Sequence, residues 1–169
     1  MRIAKRACLL GLATLLLSAL ACTKPVDLTK DLAIVDVTTG WFDAGIVKDY
    51  EGNKNKLVPS IAFTLKNVSA ATTIASVQIN AVYHQVNDLK TEWGTTWVKG
   101  IGSDGLNPGA ATGEIVLKSD RGYMSLQPRV QMLQNAQFVD AVVDLHGKVG
   151  AQQWVKLGTF RIDRQLLTH

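Results

Sequence analysis

Val77-Gln78-Ile79-Asn80-Ala81-Val82-Tyr83 is the stretch whose reading decides the fold. Val77, Ile79, Ala81 and Tyr83 fall on one side of an extended chain. Gln78 and Asn80 fall on the other, with Val82 the exception. A period of two with one apolar side is the signature of a half-buried strand. The pattern recurs in Ile61-Ala62-Phe63-Thr64-Leu65, around Ile115-Val116-Leu117, and through Val139, Ala141, Val143 and Leu145. Val155 and Leu157, then Phe160 and Ile162, carry it to the end of the chain. Turn chemistry separates these runs: the polar segment Asp49–Asn55, Asn67-Val68-Ser69, Gly102-Ser103-Asp104-Gly105, Asn107-Pro108-Gly109, and Gly147–Gly150. Short strands divided by close turns, with no alternation of strands and helices, predict an all-β antiparallel sandwich or barrel. One stretch departs from this, residues 128–138, where Val130, Leu133 and Phe138 among Gln and Asn predict a single short helix over one end.

The start of the chain follows a different logic. Arg2, Lys5 and Arg6 precede the apolar run Leu9–Leu17, which is followed by Ser18-Ala19-Leu20-Ala21-Cys22. A basic start, a short apolar core and small residues before a cut form an export signal. The run is shorter than the roughly 20 residues a membrane span needs. The cysteine after Ala21 resembles the bacterial lipobox. Ala19 and Leu20 depart from its commonest form, and a plain Ala-x-Ala cut fits the same residues. The expectation is a signal peptide over 1–21, acylation at Cys22, a lipidated tether over 22–30 and one β-domain over 31–169. Several acyl chains would make the anchor lasting, at about 0.8 kcal/mol per buried methylene. Thr23 stands where an Asp would resemble an inner-membrane retention signal, which favours the outer membrane, facing the periplasm.

Charge and cysteine content narrow the chemistry. The whole chain has 18 Lys and Arg against 14 Asp and Glu, but three of the basic residues lie in the signal. What remains is nearly balanced, with no basic stripe suited to nucleic acid. The two cysteines are Cys8, in the signal, and Cys22. The domain beyond them therefore has neither a disulfide nor a thiolate metal site, and burial and backbone pairing must hold it together.

Three short segments carry a family resemblance. Phe63-Thr64-Leu65-Lys66-Asn67-Val68-Ser69 resembles a strand ending in an N-x-S turn, and Val77–Tyr83 the strand that follows, ending in an aromatic. Leu106-Asn107-Pro108-Gly109 resembles an L-x-P-G turn before a strand. Together the region 57–118 is similar to the FxLYD-type and late-embryogenesis-abundant-like domains of bacterial envelope lipoproteins. His84 departs from that pattern, where Asp is more usual. The resemblance implies an immunoglobulin-like β-sandwich and no shared catalytic site.

Few residues offer chemistry. The histidines are His84, His146 and His169. Asp144 and His146, two apart, share one strand face, and an oriented imidazole there would be the core of a hydrolase. A solvated strand face explains the same spacing. Asp43, Asp49, Glu51 and Asn53 miss the EF-hand spacing, so neither a metal nor a cofactor is expected. No nucleophile elbow or phosphate-cradling loop occurs. Trp41, Trp93, Trp97 and Trp154 are many for one domain. Trp93 and Trp97, four apart, would share a face of a strand and, with Tyr83 or Trp154, form a platform for a glycan or a protein. Filling the core is the alternative use of such rings. The leading expectation is a non-enzymatic, lipid-anchored binding or assembly module with another envelope protein as partner. Glycan or small-ligand binding through Trp93 and Trp97 is the second, and a hydrolase at His146 and Asp144 the third.

Overall fold

The computed structural model describes residues 25–167. The segment 1–21, Cys22 and His169 lie outside them. The chain is all-β, with two sheets stacked as a sandwich and two short helices at its ends. Strands β1 (Leu32–Asp49) and β2 (Gly52–Asn67) make one long antiparallel hairpin. Along one edge of β2 lie β5 (Ile115–Lys118) and β6 (Tyr123–Ser125). The two-residue β9 (Leu166–Leu167) runs parallel to β1 on its far side. The second sheet has the order β4-β3-β7-β8, all antiparallel, from β4 (Gly94–Ile101), β3 (Val77–Gln85), β7 (Ala141–Val149) and β8 (Val155–Arg161).

The alternation read in the sequence is the inward face of these strands. Ile61, Phe63 and Leu65 of β2 meet Val77, Ile79, Ala81 and Tyr83 of β3 and Val143 and Leu145 of β7, all fully buried. Each such aliphatic or aromatic side chain contributes about 1.5–3 kcal/mol by leaving water. The Tyr83 hydroxyl crosses to the other sheet and donates to the Leu117 carbonyl at 2.7 Å. Its burial pushes the phenol pKa well up. Pro59 lies between the part of β2 that pairs with β5 and the part that pairs with β6. It has no N–H to offer a neighbour, which suits the break in the ladder.

The 18-residue β1 escaped the sequence reading because its parity changes. Leu32 faces inward at an even position, Thr39 and Trp41 at odd ones. A shift of register between Val35 and Thr38 and another between Asp43 and Ile46 account for this. Asp36 (φ 54°) and Gly45 (φ 86°) occupy the left-handed region at these bulges. A bulge between Leu145 and His146 opposite β8 likewise explains why Leu157 and Phe160 differ in parity.

Both ends are closed. Helix α1 (Leu28–Asp31) begins at Asp27, whose side chain accepts from Thr29 N. Leu28 is buried beside Gly147, where an added Cβ would come 2.8 Å from Leu157 Cδ1 and 3.1 Å from Leu28 Cδ1. Residues 28–30, expected in the tether, thus belong to the folded domain, since Leu28 is a core residue. At the other end α2 (Arg129–Gln134) lies within the predicted 128–138 stretch and buries Met132 and Leu133. Arg164 latches the loop after it. Its guanidinium donates to the Asn135 carbonyl at 3.2 Å, the Phe138 carbonyl at 3.1 Å and Asp140 Oδ1 at 2.8 Å.

The N-x-S and L-x-P-G segments meet. Asn67 is fully buried, its amide donating to the Thr72 and Leu106 carbonyls at 2.8 and 2.7 Å while its Oδ1 accepts from Ser69. Gly109 N donates to the Asn67 carbonyl at 2.9 Å. Residues 107–110 form a turn closed by Ala110 N to Asn107 O at 3.0 Å, with Gly109 at φ 78°. Pro second and a positive-φ Gly third fit a type II turn.

Candidate functional site

The outward side of the β4-β3-β7-β8 sheet is built by the residues that alternate with the core. Antiparallel pairing sets them in rows. Lys99, Gln78 and Lys148 form one row; Trp97, Asn80, His146 and Lys156 the next; Thr95, Val82, Asp144 and Thr159 a third. With strands about 4.8 Å apart, the second row crosses the whole sheet. Trp97 is 66% exposed and Trp154, in the turn before β8, 42%. The two indoles line an open depression of about 350 Å³ whose floor is Gln78, Asn80 and Thr95. Lys148 Nζ lies 4.8 Å from the centre of the Trp154 ring, within cation–π range. The Thr95 hydroxyl is 3.1 Å from Asn80 Oδ1 and 3.2 Å from the Ala81 carbonyl.

Trp93 is not part of this face, contrary to the expectation that it pairs with Trp97. The four-apart rule needs a continuous strand, and β4 starts at Gly94. Gly94 is packed so tightly that an added Cβ would overlap Ser119 Oγ. Trp93 instead turns to the sandwich end, its ring 6.1 Å from that of Trp41. Trp41 meets Phe138 edge-on at 4.5 Å, and Phe138 meets Tyr123 at 4.9 Å. Tyr83, the other suggested platform residue, is fully buried. Trp97 and Trp154 are the pair the fold brings together.

Asp144 and His146 do occupy one face, but Asp144 is engaged elsewhere. It accepts from Thr159 Oγ1 at 2.6 Å, lies 2.8 Å from Lys156 Nζ and 3.9 Å from His84 Nε2. Burial works against its charged form, but the hydrogen bonds and the Lys156 and His84 charges outweigh it and hold the pKa below the ordinary carboxylate range. His146 Nδ1 is buried with no hydrogen-bond partner among the described residues. With Asp144 held by Thr159 and Lys156, the pair is not assembled as an oriented imidazole. His84, from the adjacent strand, is the closer histidine. The signal for it was the β3–β7 register, which no spacing within one strand reveals.

The acidic positions serve lysine and arginine. Asp49 and Glu51 hold Lys54 at the β1–β2 turn, with Asp49 Oδ2 3.0 Å away. Asp43 pairs with Arg129, which holds its pKa low. Among the described residues there is no group of three or more His, Cys, Asp or Glu placed to hold a metal, and no helix long and apolar enough to cross a membrane.

No protein-family model and no curated protein matches the chain. Among solved structures, the chain is similar to the X-ray structure of Northeast Structural Genomics Consortium target SoR45. Identity is 14%, covering 80% of this chain and 89% of that one, with a TM-score of 0.41.

Proposed function

We propose that this chain is a lipid-anchored envelope protein whose β-sandwich is a non-enzymatic binding module, and that the face bearing Trp97 and Trp154 makes its contact. The observation that carries this reading is the pair of exposed indoles over an open depression. Exposed large aromatics on a folded domain cost solubility and anchor interfaces where they are used. The anchor rests on the Cys22 pattern in the sequence. Residues 25–28 share a depression with Gln152, Gln153 and Val155, the chain neighbours of Trp154, which supports an attachment close to this contact.

The test separates anchor from module. Mass spectrometry of the mature protein should show an acylated Cys22 at its N-terminus. Cys22→Ser protein, unable to be acylated, should fold and still sediment with isolated envelopes, and Trp97→Ala in that background should remain in the supernatant. Failure of the folded Cys22→Ser protein to associate with envelopes would sink the binding-module reading, whatever the state of the anchor.

A further inference from the structure

We infer that the Trp97–Trp154 face binds a carboxylated glycan, with sugar rings on the indoles and acid groups on Lys99 and Lys148. This rests on the binding-module reading above and names its ligand. The apolar parts of the face are two planar rings and the half-buried Val82 and Val142. Around the indoles the rest is carboxamide, hydroxyl and ammonium. The face also carries His84, His146, Arg161 and the Asp144 carboxylate, which Lys156 neutralises. A pyranose ring has a matching division, with C–H groups over its face and hydroxyls around its rim. The C–H face suits an indole, and the rim suits Gln78 and Asn80, which accept and donate through one group.

Charge selects within the sugars. Of the cations on this face, Lys156 is matched by Asp144 at 2.8 Å and Arg161 by Asp140 at 3.5 Å. Lys99 and Lys148 have no carboxylate partner among the described residues. They flank Gln78 in one row, two strand spacings or about 10 Å apart, beside the row that carries Trp97. Two cations at the border of an aromatic depression suit a polymer bearing acid groups at intervals. The depression is open, which suits a chain lying across it. A protein hot spot is usually a closed, desolvated pocket.

Affinity electrophoresis of the full-length protein through gels containing polygalacturonate, hyaluronan or alginate tests this. At least one should retard it, and methyl-esterified polygalacturonate, with the same rings and no charge, should retard it less. Trp97→Ala should weaken the interaction about tenfold, the scale of one lost stacking contact. Lys99→Gln with Lys148→Gln should weaken it several-fold and flatten its salt dependence. Circular dichroism of each variant, unchanged from wild type, excludes misfolding as the cause. Retardation by none of the three glycans would overturn the inference. So would equal retention of polyglutamate, which has carboxylates without rings, or tighter binding of oligothymidylate. If Trp97-dependent binding to envelopes survives while all three glycans fail, the binding module stands and its carboxylated-glycan ligand does not.

Discussion

Two groups of tryptophans sit at different stations of the same sandwich. Trp41 and Trp93 join Phe138 and Tyr123 in a tilted and edge-on cluster that closes the α2 end. Trp97 and Trp154 lie on the outside of a sheet, with lysines and carboxamides for neighbours. Trp93 and Trp97 are four residues apart, yet one is packed against the core and the other is solvent-facing. Residue type therefore says little about use. What decides is whether the position lies inside a continuous strand and on which of its two faces.

The largest test of this contrast is Trp41→Ala. Trp41 is wholly buried, so its loss should cost about 3–5 kcal/mol, read as a fall in the denaturant midpoint. Trp41→Phe should cost less, because the Nε1–H of Trp41 has no hydrogen-bond partner among the described residues and the ring is kept. Next comes the latch that holds Phe138 in the cluster. Arg164 keeps the Asp140 pKa below the ordinary range through a direct hydrogen bond, opposed by burial and aided by the Arg164 and Arg161 charges. The folded carboxylate thus takes up its proton at lower pH than the unfolded one, whose value is near 3.8. That stabilisation is complete above the unfolded pKa and is lost as pH falls through the folded one. Asp140→Asn should lower stability at neutral pH by about 1 kcal/mol and make acid unfolding below pH 4 less steep. The smallest stability effect belongs to Trp97→Ala, within about 0.5 kcal/mol of wild type, although in the Cys22→Ser background it should weaken retention on envelopes about tenfold. If Trp97→Ala destabilised the domain as Trp41→Ala does, the contrast between a closing and an offering aromatic group would collapse.

The strands β3 and β7 were legible because each keeps its period over enough residues, β2 through the run Ile61–Leu65, and β8 in two pieces on either side of its bulge. The helix at 129–134 was legible by its break in that period. β1 was not, since two bulges divide its 18 residues into segments of different parity. The site was half legible. Trp97 and Trp154 stand out as residues, but their meeting depends on the turn before β8 and on the order β4-β3-β7-β8. Lys99, Gln78 and Lys148 come together through pairing across three strands. No local pattern encodes that. The Asp144–His146 pairing failed for the converse reason: local spacing was met, and cross-strand partners claimed the carboxylate.

The length of β1 has a consequence for reach. Leu32 begins it beside the N-terminal helix, and Asp49 ends it at the turn that presents Tyr50, 94% exposed. At about 3.3 Å per residue, less the bulges, root and tip stand roughly 50–60 Å apart. Under the anchoring proposed above, the hairpin would rise from the held end like a mast. The aromatic depression would then lie near that end, and the hairpin tip far from it.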